Sequence, residues 1–257
     1  MDETVVGAVF PDDAWVYRDV SALIQDFAAY APASVRVEAS ATPCPNEDSD
    51  VPSNLRLATN GDIEESARRL SVLSPAAIGY FCTTISFVRG LGGESDIARR
   101  ISGATGVPAT TTSGALLHAL HALGSRRIAV ASPYLPDVQA ALLGYLREAG
   151  FDPVTSVALN FAAGHSTTPV DVIVDAALRA DSDDADALFI SCTGQRVSAE
   201  LAGLEERLGK PGLSANQVTM WHLLHLAGAE TSVADRGRLF TVAPDPSLTI
   251  GAAPSDA

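Results

Sequence analysis

Short apolar runs alternating with amphipathic stretches place this chain in the α/β class, with parallel sheets. Three observations carry that reading. Apolar runs of strand length recur along most of the 257 residues, each followed by a stretch of helical period. Two of these runs end in a Cys-Thr pair, at Cys82-Thr83 and Cys192-Thr193, 110 positions apart. A His-x-x-His pair followed by a glycine also occurs twice, as His118/His121 before Gly124 and His222/His225 before Gly228, 104 positions apart. Such close offsets point to an internal duplication.

In the first half, strands are expected at Val5–Phe10, Val35–Ala39, Ala77–Phe81 and Val107–Thr111. Helices are expected at Arg18–Tyr30, Ile63–Leu73, Ser95–Ala104 and Gly114–Leu123. The second half repeats the rhythm. Its strands are Ile128–Ala131, Thr155–Leu159, Ala187–Ser191 and Pro211–Ala215, and its helices Pro136–Ala149, Thr168–Ala180, Ser198–Leu208 and Val218–Leu226. Pro43 to Asn54 breaks the pattern with turn formers and acids, and is expected to be a long connection of lid or surface-loop type. The last residues, 241–257, are rich in Pro, Ala and Asp and are expected to be disordered.

Hydrophobic residues make up 47% of the chain, enough for a core, and no run approaches the roughly 18 apolar residues a membrane helix needs. The first residues lack a secretion-signal pattern, so a cytoplasmic protein is expected. With 31 acidic and 17 basic residues the net charge is -14, which disfavours nucleic acid and anionic membranes as partners. A homo-oligomer is compatible with this composition. Lys210 is the only lysine and stands before Pro211 in an expected turn, a poor place for a pyridoxal Schiff base. Three cysteines without a Cys-x-x-Cys argue against both a disulfide framework and a zinc ribbon.

In open α/β sheets ligands bind beyond the carboxyl ends of the strands. Cys82 and Cys192 fall there in both halves, so the pair reads as catalytic rather than as two small core residues. Two thiols facing one carbon can act as nucleophile and proton donor, or as a matched acid and base. Thr83, Thr84, Thr193 and Gly194 follow the thiols, where hydroxyls and free N–H groups can cradle a carboxylate or cap a helix. Tyr134 lies at another strand end and can donate to a carboxylate or enediolate oxygen. Pro11 and Asp12, with Asp13, occupy the matching strand end in the first half; an Asp there can face substrate or cap the next helix. The four paired histidines lack a neighbouring thiol or carboxylate and read as helix packing, not metal ligands. Gly90-Leu91-Gly92-Gly93 lacks the Walker lysine and the dinucleotide spacing, so it is weak as a phosphate loop.

Several stretches together resemble the aspartate/glutamate racemase superfamily, in the branch of maleate cis–trans isomerases and arylmalonate decarboxylases. They are Cys82 to Gly90, Ala104 to Thr111, Ala122 to Val130, Pro133 to Val138 and Ser191 to Gly194. The resemblance implies two flavodoxin-like domains related by pseudo-twofold symmetry, an active site in the cleft between them, a small carboxylate or dicarboxylate substrate and no cofactor. The expected division is residues 1–107 plus 216–240 against 108–215. The resemblance also implies roles: attack by the Cys82 thiolate, proton transfer by Cys192, and substrate binding by Pro11, Asp12, Thr83, Thr84, Tyr134, Thr193 and Gly194. Arylmalonate decarboxylases carry a glycine where this chain has Cys82, whereas maleate isomerases and amino-acid racemases carry both thiols. Ser86-Phe87 and Arg89-Gly90 look more like the decarboxylases. Maleate isomerases have Pro-Ser-Ser-Asn where this chain has Pro11-Asp12-Asp13-Ala14, and an acid there weighs against a plain dicarboxylate. The lead reading is an isomerase of maleate type. Racemisation, decarboxylation and simple binding of a small acid are the alternatives.

Overall fold

In a computed structural model, residues 3–13, 20–44, 49–231 and 233–248 are described. The first four strands are β1 (Thr4–Asp13), β2 (Val35–Cys44), β3 (Ala77–Tyr80) and β4 (Ala109–Thr111). They form one parallel sheet in the order β2-β1-β3-β4. The next four, β5 (Arg127–Ser132), β6 (Asp152–Ala158), β7 (Ala187–Ile190) and β8 (Gly212–Ser214), form a second parallel sheet in the order β6-β5-β7-β8. The two orders are the same, as a duplication requires. Each is the flavodoxin-like order with its switch point between the first and third strands. The inner strands β3 and β7 are buried throughout, as strands covered on both faces must be. β4 pairs with β3, so the first sheet takes Ala109–Thr111, which a boundary after residue 107 assigns to the second half.

The helices of the first half are α1 (Val20–Ala28), α2 (Val51–Thr59), α3 (Asp62–Ser71), α4 (Thr83–Phe87), α5 (Gly90–Thr105) and α6 (Thr112–Ala122). Those of the second are α7 (Pro136–Glu148), α8 (Val170–Ala180), α9 (Leu201–Leu208) and α10 (Ala215–Leu226). α2 begins within the stretch expected to be a long connection and runs past it. Asp50 caps it, accepting from the Ser53 N–H at 2.8 Å, and Pro52 sits in its first turn, where a missing N–H costs nothing. Residues 45–48 of that stretch lie outside the described residues. The expected Arg18–Tyr30 helix is described from Val20 to Ala28, and its first two residues are likewise outside the described ones.

α6 and α10 are apolar on nearly every side, which marks helices buried from all directions. They pack against each other, and α10 touches β3 and β4 of the first sheet as well as β8 of the second. The paired histidines sit on this contact: the His118 and His222 rings stack at 4.1 Å, placing one duplicated residue on its own counterpart. His222 Nδ1 bonds Thr110 Oγ1 at 2.8 Å and His225 Nδ1 bonds the Trp221 carbonyl at 2.8 Å. No metal-binding group of three occurs among the described residues. The tail is ordered further than its composition suggests. Val242 accepts from the Trp221 indole at 3.1 Å, and residues 249–257 lie outside the described residues. No helix among the described residues is long and apolar enough to cross a membrane.

Candidate active site

Strand order decides where the chemistry falls. The switch point of each sheet lies between its first and third strands, so a ligand there meets the residues just past β1 and β3, or β5 and β7. Cys82 follows β3 and Cys192 follows β7, while Tyr134 follows β5.

Cys82 has an ordinary extended backbone (φ -154°) and is the residue from which α4 starts. Its side chain is buried, and Sγ lies 3.6 Å from Thr84 Oγ1. Thr83, the first residue of α4, is buried, and its Oγ1 has no hydrogen-bond partner of good geometry, although the Tyr134 hydroxyl is near enough to feel it. The Thr83 carbonyl is held by two hydroxyls, Ser86 Oγ at 2.9 Å and Ser113 Oγ at 3.1 Å.

Cys192 differs. Its φ is +86°, a left-handed backbone that side chains other than glycine rarely adopt and that costs of order 1–3 kcal/mol. No helix follows at once; Thr193 and Gly194 form a turn, and α9 starts only at Leu201. Burial pushes the Cys192 thiol up to about 12, and the nearby Cys82 sulfur adds to that; hydrogen bonds from the Gly194 N–H and the Tyr134 hydroxyl act the other way. Cys192 therefore holds its proton at neutral pH. The two cysteines pack into different apolar clusters, and the Tyr134 hydroxyl lies between their sides, beside Thr83 and Cys192.

Gly194 is closely approached by its neighbours. A Cβ there would lie 3.1 Å from the Ser166 N and 3.4 Å from Cys192 Sγ. Thr193 reaches back to the first half, with Oγ1 3.5 Å from the Phe81 carbonyl. Tyr134 is buried with its hydroxyl accepting from Ser191 Oγ at 3.1 Å, and burial beside Cys192 holds the phenol well above its ordinary range. Thr83, Thr84, Tyr134, Thr193, Gly194 and both thiols thus gather at one place.

Pro11 and Asp12 do not join them by any described contact. β1 runs on to Asp13, pairing Pro11 with Thr42, Asp12 with Pro43 and Asp13 with Cys44. Pro11 is buried and the Asp12 side chain is exposed. The next helix is described from Val20, and residues 14–19 between it and β1 lie outside the described residues. Gly90 to Gly93 opens α5 facing a carboxylate: the Leu91 N–H points at Glu148 Oε2, 3.4 Å away.

Sequence reasoning missed four neighbours. His165, in a 3-10 turn (His165–Thr167), sets its ring edge-on to Tyr134 at 5.8 Å. Gln195 Nε2 donates to the His165 carbonyl at 2.8 Å. Asn216 Nδ2 donates to the Thr193 carbonyl at 3.0 Å and to Asp26 Oδ2 at 2.7 Å. His165 follows the end of β6, a signal that was available; Asp26 and Asn216 lie inside helices and carry none.

The site is built from thiols, hydroxyls and backbone N–H groups. It can attack an electron-poor carbon and deliver a proton beside it. The chain is similar to proteins of known activity. Arylmalonate decarboxylase of Bordetella bronchiseptica is 33% identical over 183 residues, 69% of this chain and 76% of that protein. Maleate isomerase of Pseudomonas putida is 27% identical over 195 residues, 72% of this chain and 77% of that one. Among solved structures, Nocardia farcinica maleate cis–trans isomerase superposes with a TM-score of 0.80 at 21% identity, covering 92% of this chain and 98% of that one. That structure is of a cysteine-to-serine mutant with a covalently bound succinylcysteine intermediate. Its likeness bears on the fold. The relatives are enzymes, and so is this protein. The family model for arylmalonate decarboxylase matches residues 58–240, which span both cysteines, and the chain belongs to that family.

Proposed function

We propose that this protein is a cofactor-independent isomerase of a small carboxylic acid, acting through two thiols in the manner of maleate cis–trans isomerase. The observation that carries the reading is the presence of Cys82 at the strand end where one-thiol decarboxylases have a glycine, paired with Cys192 at the equivalent strand end. In the reaction, the Cys82 thiolate adds to one alkene carbon. The π electrons pass toward the adjacent carboxylate, and the Cys192 thiol protonates the second carbon to give a succinyl thioether. Rotation about the new single bond, removal of that proton by the Cys192 thiolate and departure of Cys82 give the trans alkene. The step is redox-neutral and needs no water. A protonated Cys192 suits the donor role. The succinylcysteine found in the Nocardia farcinica isomerase is the intermediate this sequence of steps requires. Thr83, Thr84, Tyr134, Thr193 and Gly194 would hold the carboxylates and the enediolate-like charge with neutral donors.

A second reading has its own support in the family match and the relative at 33% identity: decarboxylation of an α-aryl malonate, which needs only Cys192 and the oxyanion donors. Incubation with maleate, α-substituted malonates and chiral amino and hydroxy acids in deuterated water, followed by NMR, separates the readings. Conversion of the cis to the trans diacid is expected. Loss of CO2 alone would replace the isomerase with a decarboxylase, deuterium exchange at a stereocentre with a racemase, and binding without turnover with a receptor.

A further inference from the structure

We infer that Asp26 and Asn216 form a positioning pair that clasps the loop after Cys192 and holds that cysteine in its left-handed conformation. Cys192 is one of only four residues other than glycine with positive φ among the described residues, and the only one of them at a site thiol. A disfavoured backbone persists only where the surroundings over-determine it. Two of the restraints are local: the Ser191 N–H donates to the Ala131 carbonyl at 2.8 Å, and the Gln195 N–H to the Cys192 carbonyl at 3.0 Å. The rest come from the other side of the molecule. Asn216 in α10 donates to the Thr193 carbonyl and to Asp26 Oδ2 through the same nitrogen. Asp26, on α1, also takes the Ser198 N–H on Oδ1 at 3.4 Å. One carboxylate therefore grips the loop at both ends, at Ser198 directly and at Thr193 through the amide.

Both residues are buried, at 6% and 0% exposure, and no ion pair to Asp26 occurs among the described residues. Burial pushes the Asp26 carboxyl above its ordinary range, while the Ser198 and Asn216 hydrogen bonds and the Arg196 charge act the other way; a carboxyl kept buried at that cost calls for a role. The amide has one workable orientation: turned over, its oxygen would face two acceptors. The first half provides the control. Ser113 stands two residues past the α6 cap, as Asn216 stands two past the α10 cap at Ser214, and it reaches the Thr83 carbonyl in the same way. Behind Ser113 is only the Ser86 hydroxyl, at 2.7 Å, and Cys82 there has an ordinary φ. The carboxylate accompanies the strained thiol and not the relaxed one.

The inference rests on Cys192 as a reacting thiol, but its test needs no substrate. Asp26→Ala, Asn216→Ala, Asp26→Asn and Ser113→Ala would each be alkylated with iodoacetamide across pH 7 to 10, in proteins whose folding is verified by thermal melting. Peptide mass spectrometry then reads Cys82 and Cys192 separately. Freed of its clasp, the Cys192 loop relaxes toward solvent, and its alkylation is expected to speed up by about tenfold in Asp26→Ala and Asn216→Ala as the thiol loses its burial. Cys82 in the same molecules is expected to change by less than about twofold, because its own carbonyl anchor is intact. Asp26→Asn keeps a single acceptor oxygen, so it can hold Asn216 or Ser198 but not both, and its effect on Cys192 should fall between the parent and Asp26→Ala. Ser113→Ala should move Cys82 and leave Cys192. Equal changes at both thiols in Asp26→Ala or Asn216→Ala, or no change at Cys192 in either of those two folded variants, would overturn the inference.

Discussion

The ends of β3 and β7 are duplicates of one another, yet they hold their thiols in different ways. Cys82 sits on a relaxed backbone at the start of a short helix, beside a threonine hydroxyl, with neutral hydroxyls behind it. Cys192 sits on a left-handed backbone in a turn, with a glycine N–H and a phenol aimed at its sulfur and a buried carboxylate bracing the loop. Duplication supplies two equivalent positions. Catalysis that adds a nucleophile on one side and a proton on the other needs two unequal ones, and the asymmetry lies in the residues around the thiols rather than in the thiols.

The comparison can be broken most severely at the sulfurs. Cys82→Ser and Cys192→Ser are each expected to lower turnover by more than about a thousandfold with the fold intact, since a hydroxyl is a far poorer nucleophile and acid than a thiol. Cys44→Ser, at the end of β2, should leave the rate unchanged. Steady-state kinetics of the three variants check this, and a Cys44 effect as large as the others would reassign the reactive pair. Gly194→Ala acts on the Cys192 side alone. Its Cβ would press on the Ser166 N and touch the Cys192 sulfur, and a shift of a few tenths of an ångström in the turn is expected to lower kcat by about tenfold with a smaller change in KM.

The contact between the duplicated histidines sharpens the picture from the structural side. Burial lowers His118 to about 4 and His222 to about 3, each helped by a neighbouring histidine. Their folded values lie below the unfolded value near 6.5, so the neutral pair contributes stability that is complete above that pH and is lost as pH falls toward 4 and then 3. Each group can weaken folding by up to about tenfold per pH unit in that window. Thermal melting of His222→Gln should show a shallower acid limb than the parent; parallel limbs would mean that the acid transition lies elsewhere. Cys192 works in the opposite direction. Its raised value stabilises the fold below the unfolded thiol value near 8.5, and that contribution is lost as pH rises toward 12. The smallest effect separates the backbones. Cys82→Gly should cost about 1 kcal/mol more stability than Cys192→Gly, because glycine relieves strain only where φ is positive. Equal costs in denaturant unfolding would remove the strain from the account.

Much of the architecture was legible because strand and helix periods are local properties. β3 and β7 read as buried runs, and their Cys-Thr endings marked the site. Short elements escaped. α4 is only five residues long, too short to show a period, and α2 was hidden by a Pro-rich run in which Asp50 and Pro52 were in fact a cap and a first-turn proline. The first strand outran its apolar run because Pro11 to Asp13 pair with β2 beyond it. The left-handed Cys192 was not legible, since no residue type announces it. Neither was the Asp26–Asn216 bond, which joins positions 190 apart and depends on α1 and α10 meeting in three dimensions.

The central claim, that Cys82 forms the covalent bond and Cys192 moves the proton, is tested most directly by trapping. Cys192→Ser would be incubated with maleate, quenched in acid and digested, and the cysteine peptides weighed. The account predicts that the peptide holding Cys82 gains the mass of one maleic acid, and that Cys82→Ser, treated alike, carries no addition on Cys192. An adduct on Cys192 in that second variant, with Cys82 unmodified in the first, would contradict it.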